Sequence, residues 1–274
     1  SGIKPDWAMR SRGTEWIKTF LSKEVINEPG EVFAYDSMVT YMLSAIVQKV
    51  TGMKTLDYLQ KKLFTPMGIT KVNWEESPEG VNTGGWGLHI QSESLAKVGQ
   101  MWLQGGVWEG KQLISKEWIE QMSARQADGG DYGYGFQTWQ CAYPSAVRAD
   151  GALGQYVIVV PEKDVVIVLT EASFTNGKPQ RGLIWNKFLP ALSDQPLPAS
   201  ADYDLLKKKV SSYRCYSGAW FYQLENGKST LRRWGCCVPV YEAARMGVRW
   251  MSLSVRPPSR EPHRNAVYTI IQKT

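Results

Sequence analysis

Tyr156-Val157-Ile158-Val159-Val160 and Val165-Val166-Ile167-Val168-Leu169 flank the tetrapeptide Pro161-Glu162-Lys163-Asp164. Both runs are dense in β-branched residues, which pack well on a pleated surface. Proline presets the backbone of a turn and aspartate tolerates its tight geometry, so the tetrapeptide predicts an antiparallel hairpin. A strand with one face in water alternates apolar and polar residues. These two are apolar on both faces, which predicts a hairpin central in its sheet and covered by helices.

Upstream, the period changes from two to that of a helix. Met38, Met42, Ala45, Ile46 and Val50 recur as one stripe over Asp36–Val50, with Asp36 or Ser37 to cap the start and Gly52 the end. A second helix is predicted from Thr55 to Leu63, closed by Pro66 and Gly68. Ser92 opens a third, which runs from Ser94 to Leu103 and stops at Gly105-Gly106, and Ser115 caps a fourth that runs to about Arg125. Helices first and an antiparallel hairpin later predict an α+β fold, an antiparallel sheet flanked by helices.

Downstream, Ser193-Asp194-Gln195-Pro196-Leu197-Pro198-Ala199-Ser200 reads as a polar, Pro-rich linker. It divides the chain into a main domain over 1–198 and a small basic region over 199–274, expected to be a β-rich appendage. Clear periodicity is lost there, and a reading-frame change is a second explanation of the region. Residues 201–274 hold 13 Lys and Arg against 5 Asp and Glu, whereas the whole chain has 32 against 26 and a net charge of +6. A basic tail raises nucleic acid as a partner. Its charges are scattered among Trp, Cys and Pro without a binding motif, so a solvated basic face is the preferred reading.

The totals exclude several classes. A chain of 274 residues with 43% hydrophobic content and a mean hydropathy of -0.32 builds a full core, and no apolar stretch approaches the roughly 20 residues of a membrane-spanning helix. Cys141, Cys215, Cys236 and Cys237 show no Cys-x-x-Cys spacing, and the two histidines, His89 and His263, lie far apart. A zinc site needs four clustered ligands, so no metal site is expected. A Ser-His-Asp triad would rest on His89 or His263, and neither has a nucleophile elbow beside it. His89 reads instead as a packed or surface residue.

The chemistry concentrates in Glu31-Val32-Phe33-Ala34-Tyr35-Asp36-Ser37-Met38, where Gly30-Glu31 leads into the first long helix. Such a junction can hold a phenol rigidly over a cleft. Tyr35-Asp36-Ser37 resembles the second active-site motif of serine β-lactamases and penicillin-binding proteins, Tyr-x-Asn, and is most similar to the class C and related esterase branch. Ala149-Asp150-Gly151, just before the first hairpin strand, resembles the third motif, Lys-Thr-Gly or His-x-Gly. Other pieces follow in the family's order along residues 1–198: Ser1-Gly2, Gly84-Gly85-Trp86-Gly87-Leu88, Ser94-Leu95-Ala96-Lys97, Trp108-Glu109-Gly110-Lys111, Tyr132-Gly133-Tyr134-Gly135-Phe136 and Pro161-Glu162-Lys163-Asp164.

The resemblance implies a β-lactamase/transpeptidase-like fold and a hydrolase that forms an acyl-serine intermediate on an ester, amide or β-lactam, with no cofactor. Tyr35 would be the catalytic proton relay, Ser37 a donor to the substrate carbonyl, and Asp150 and Gly151 substrate-binding, with the Gly151 N–H helping to form an oxyanion hole. Three departures stand out. Ser37 replaces asparagine and reaches less far. Ala149 replaces the cationic residue and Asp150 the hydroxyl one, which favours an esterase-like or amidase-like member over a true β-lactamase. Arg148 is adjacent, but a neighbour on a strand points to the opposite face.

The family's nucleophile lies in a Ser-x-x-Lys upstream of its tyrosine. Two matches exist here, Ser1-Gly2-Ile3-Lys4 and Ser94-Leu95-Ala96-Lys97, and both read as chance occurrences of a short pattern. The expectation is therefore an N-terminally truncated hydrolase, inactive as it stands. The rival reading is a non-catalytic binding or sensing module on the same fold. Truncation would bare a sheet edge and an apolar face, to be covered by self-association or by the basic tail folding back. Family resemblance also implies a periplasmic or other extracytoplasmic location.

Overall fold

The computed structural model describes residues 2–6, 13–130, 132–171, 178–192, 200–202, 204–205 and 208, together with four strands over 220–225, 228–233, 248–255 and 266–273. The chain opens with the short helix α1 (Trp16–Leu21) and the long helix α2 (Ser37–Thr51). Asp36 caps α2 from an extended backbone by accepting from Met38 N–H at 2.8 Å, and Gly52 closes it in the left-handed region. α3 (Thr55–Leu59) continues through a π-helical turn to Phe64. A small hairpin of β1 (Val72–Trp74) and β2 (Leu88–Ile90) precedes α4 (Ser92–Leu103). The two-residue strands β3 (Val107–Trp108) and β4 (Lys111–Gln112) lead to α5 (Lys116–Ser123), whose start Ser115 caps through its hydroxyl.

The sheet is built from the second half of the chain. β5 (Trp139–Gln140), β6 (Val147–Gly151), β7 (Gln155–Val160) and β8 (Val165–Glu171) pair antiparallel in sequence order. The predicted hairpin forms in the register Tyr156 with Leu169 through Val160 with Val165. Its two faces feed two separate cores. Tyr156, Ile158, Val160, Val165, Ile167 and Leu169 pack with Ile184 and Leu189, from the helical segment made of α6 (Lys178–Leu183), a π-helical turn and α7 (Leu189–Ala191). Val157, Val159, Val166 and Val168 pack with Ala96 and Trp102 of α4 and Ile119 of α5. The doubly apolar strands thus lie between two helical layers. Close approach of α4 depends on Gly99, where a Cβ would sit 2.5 Å from a Val166 methyl and 2.9 Å from one of Val157.

The stretch predicted as a linker lies, apart from Ser200, outside the described residues; further along, β9 (Trp220–Glu225) and β10 (Lys228–Arg233) form a two-stranded sheet of their own. β11 (Val248–Val255) and β12 (Ala266–Lys273) instead join the central sheet, with β12 pairing along β8 from Ala266 opposite Glu171 to Gln272 opposite Val165. The sheet order is therefore β11-β12-β8-β7-β6-β5, and the outer edge of the hairpin is taken by a strand of the basic region.

Helix α2 has the predicted period, and of the predicted stripe Met38 is buried with Met42 and Ala45 packed beside it, but Ile46 and Val50 are not. Met38, Tyr41 and Ser44 are its buried residues, whereas Ile46 and Val50 are 53% and 78% exposed. Tyr41 decides the orientation. Its hydroxyl donates to Glu79 Oε2 at 2.7 Å and lies 3.0 Å from Ser77 Oγ, and Trp16 packs edge-on to its ring. The same Glu79 carboxylate accepts the Trp16 and Ile17 N–H groups at the start of α1.

Burial first, and the Glu79 charge after it, push the Tyr41 phenol up to about 12, against the lowering influence of its bond with Ser77. Burial and Asp150 likewise push Tyr156 up to about 12. A phenol raised in the folded state keeps its proton where the unfolded chain, titrating near 10, gives it up. Stability carried by both phenols is thus fully present below pH 10 and lost between about pH 10 and 12. Unfolding titrations across that range should show the loss, and Tyr41→Phe should flatten it. An unchanged pH profile in Tyr41→Phe would assign the loss to other groups.

Candidate active site

Tyr35 stands one residue before the Asp36 cap, so the start of α2 fixes its backbone. Its partly buried ring lies 5.4 Å from Trp139 and 6.4 Å, nearly perpendicular, from Tyr134. Phe33 completes the group at 5.0 Å from Tyr134 and 5.9 Å from Trp139, while Tyr134 and Trp139 meet edge-to-face at 4.7 Å. Four rings from two distant segments of the chain, that of Tyr35 among them, therefore form one cluster in which Tyr35 packs against Tyr134 and Trp139.

Trp139 connects this group to the sheet. It lies on β5 opposite Arg148 of β6, whose guanidinium carbon stands 5.8 Å from the Trp139 ring centroid. Arg148 Nε donates to Asp150 Oδ2 at 2.8 Å, and another guanidinium nitrogen donates to the Gln140 carbonyl at 2.6 Å. Both members of the pair are largely out of water, at 13% and 22% side-chain exposure. Burial above all, then Tyr35 and Asp150, push Tyr134 above its ordinary value.

The alternation predicted along β6 holds. Arg148 and Asp150 share one face, while Val147 and Ala149 join the α4–α5 core on the other. A methyl group thus stands where the resembled motif has a cation. Gly151 pairs with Gln155 at the turn into β7. Ser37 begins α2 beneath the Gly84-Gly85 loop, where a Cβ on Gly85 would fall 3.0 Å from that of Ser37. Thr40, one turn on, donates to Gln137 Oε1 at 2.9 Å and ties α2 to the loop before Trp139.

The Ser-x-x-Lys on α4 serves the core. Ser94 is buried, and the ammonium group of Lys97 donates to the Met67 carbonyl at 3.1 Å. Ser1, Cys215, Cys236, Cys237 and His263 lie outside the described residues. His89 is half exposed on β2, with Nε2 3.7 Å from Glu75 Oε1, as expected of a surface residue. Cys141 is a buried free thiol, raised by that burial against the lowering influence of Arg148. Among the described residues no cluster of three His, Cys, Asp or Glu could hold a metal, and no helix is long and apolar enough to cross a membrane.

Phe33, Tyr134, Trp139 and Arg148 were not assigned roles from sequence. Tyr134 lies in the Gly133-Tyr134-Gly135 run, and Phe33 and Arg148 flank the two motifs. Trp139 carries no such signal, since a two-residue strand has no periodicity to read.

Comparison with known proteins agrees with the motifs. The sequence profile of the Beta-lactamase family matches residues 1–190. A 6-aminohexanoate-dimer hydrolase from Paenarthrobacter ureafaciens is 28% identical over 151 residues, which is 50% of this chain and 38% of that protein. A solved structure provisionally named as a 6-aminohexanoate-dimer hydrolase, from Bacillus anthracis, superposes with a TM-score of 0.58 at 20% identity, over 64% of this chain and 47% of that one. The chain thus spans less than half the length of each of these two relatives.

Proposed function

The chain belongs to the beta-lactamase family, and on that footing we propose that it carries part of the active site of a serine hydrolase. The reaction is acyl transfer. A serine oxygen adds to the carbonyl of an ester, amide or β-lactam, the alcohol or amine leaves with a proton, and water then releases the acid and restores the serine. Tyr35 relays the proton between serine and leaving group. Ser37 donates to the substrate carbonyl, Asp150 contacts substrate, and the Gly151 N–H helps to hold the oxyanion.

One observation carries this reading: the tyrosine at the start of α2 and the strand bearing Asp150 converge on Tyr134 and Trp139. A phenol packed against Trp139, whose strand pairs with the one bearing Asp150, supports a relay near that strand. Amides belong among the substrates because a relative is named for hydrolysing an amino-acid dimer. Ala149, packed in the core, removes the cation that would pair with a substrate carboxylate. That favours ester and amide substrates over a charged β-lactam. The location we propose is extracytoplasmic, on family resemblance.

The 274-residue chain is expected to turn over neither nitrocefin nor p-nitrophenyl acetate above the rate of its Ser94→Ala variant. Ser94 is buried and Lys97 is engaged with Met67, and tyrosine alone is a poor nucleophile at neutral pH. Turnover that Ser94→Ala abolishes would make Ser94 the nucleophile and overturn the assignment. The alternative of a non-catalytic binding module is favoured by the substituted motifs at Ser37 and Ala149. It predicts no turnover even when a nucleophilic segment is supplied.

A further inference from the structure

Arg148 and Asp150 stand on one face of β6, and their pairing uses only part of each group. Arg148 Nε donates to Asp150 Oδ2 at 2.8 Å. One terminal nitrogen of the guanidinium donates to the Gln140 carbonyl at 2.6 Å and lies 3.7 Å from Cys141 Sγ, and its carbon stands 5.8 Å from the Trp139 ring centroid. Trp139 and Gln140 form β5, and Cys141 follows it. Three contacts on the β5 side therefore direct the guanidinium, and none of them involves Asp150.

The carboxylate is the group being held. A bond from a fixed Nε–H to one oxygen of so short a side chain sets the direction of the other oxygen. That other oxygen, Oδ1, accepts no hydrogen bond from the described residues and is not sealed from water. The Asp150 side chain is 22% exposed. A carboxylate oxygen is an acceptor only, so the group that it binds must bring a hydrogen. Gly151, whose N–H is proposed to hold the substrate oxyanion, is the next residue on the strand. Of the substrates proposed, primary and secondary amides carry a hydrogen beside the reacting carbonyl, and esters do not.

We infer that Arg148 is a positioning residue of the proposed site: it fixes Asp150 by one carboxylate oxygen so that the other accepts an amide N–H of the substrate. The inference rests on the reading that Asp150 contacts substrate, and it narrows that substrate to amides that carry N–H. Arg148 acts through Asp150 and not on the substrate directly. A lysine here could supply the charge, but not the planar fork that joins Asp150 to the Gln140 carbonyl. A hydrogen bond to a charged acceptor that water still reaches should favour an N–H ligand about tenfold.

Hexanamide, N-methylhexanamide and N,N-dimethylhexanamide share one carbonyl and differ in their N–H groups, and ligand-observed NMR measures their binding to the 274-residue chain. The first two should bind alike and the third about tenfold more weakly, so that the step falls where the last N–H is lost. Asp150→Asn must turn its oxygen toward Arg148 and its NH2 group toward the ligand, which should abolish the step. Arg148→Lys and Arg148→Met should reduce it to about twofold or less, the size left by a poorly aimed acceptor. Near-ultraviolet circular dichroism checks the folding of each variant, and if Arg148→Met does not fold, Arg148→Lys decides the matter. A role for Arg148 in stability alone would weaken the three amides alike and leave the step unchanged. That result, a step absent from the parent chain, or a step retained in Asp150→Asn would overturn the inference. The hydrolase reading fails separately, by a Tyr35→Phe form of a gene product containing the serine that turns over ester as fast as its parent.

Discussion

Ile158→Ala is expected to lower the free energy of unfolding by about 2–5 kcal/mol, the range for deleting a large aliphatic side chain from a packed core. Ile158 is fully buried and paired across the hairpin with Ile167, and it packs in the cluster that includes Ile184 and Leu189. Truncation there leaves a cavity bounded by a neighbouring strand and a helical layer, neither of which can collapse far. The same change at Ile46, which is 53% exposed on α2, should stay within about 0.5 kcal/mol. Both substitutions remove the same atoms, so the contrast isolates burial. Urea titrations of the two variants measure it. Equal losses would mean that the hairpin is not the centre of this fold.

Tyr35→Phe should lower kcat/KM for nitrocefin or a p-nitrophenyl ester by about 10²–10⁴-fold in any longer gene product that contains the nucleophilic serine. That is the usual contribution of a positioned acid–base group. The substitution removes one oxygen and keeps the ring that packs against Trp139 and Tyr134. The loss should therefore fall on kcat, with KM little changed. A variant that keeps kcat but raises KM would make Tyr35 a binding residue and leave the relay unassigned.

Much of this was legible in short stretches of sequence. The hairpin at 156–169 announced itself because β-branched residues on both faces of two strands leave few other places to lie than the middle of a covered sheet. The caps at Asp36, Gly52 and Ser115 were legible for a similar reason, since capping depends on one side chain and the backbone within a turn of it. Tyr35 and the strand holding Asp150 and Gly151 were found as motifs. The buried stripe of α2 was right at Met38, Met42 and Ala45 and wrong at Ile46 and Val50. Periodicity specifies that a helix has an apolar face, but Ile46 and Val50 fit the repeat as well as the residues that are buried. What chose between the stripes was the reach of Tyr41 to Ser77 and Glu79, more than thirty residues away.

The sequence by itself therefore determined the local conformations and the central hairpin, because dihedral preference, capping and alternation act over a few residues. Only the tertiary structure decided that Trp139 lies against Tyr35, that Arg148 is paired with Asp150, and that Lys97 donates to the Met67 carbonyl. Those outcomes depend on which distant surfaces fit together once α4 and the α6–α7 layer close on the sheet. Packing of that kind is a property of three-dimensional shape, and no window along the chain contains it.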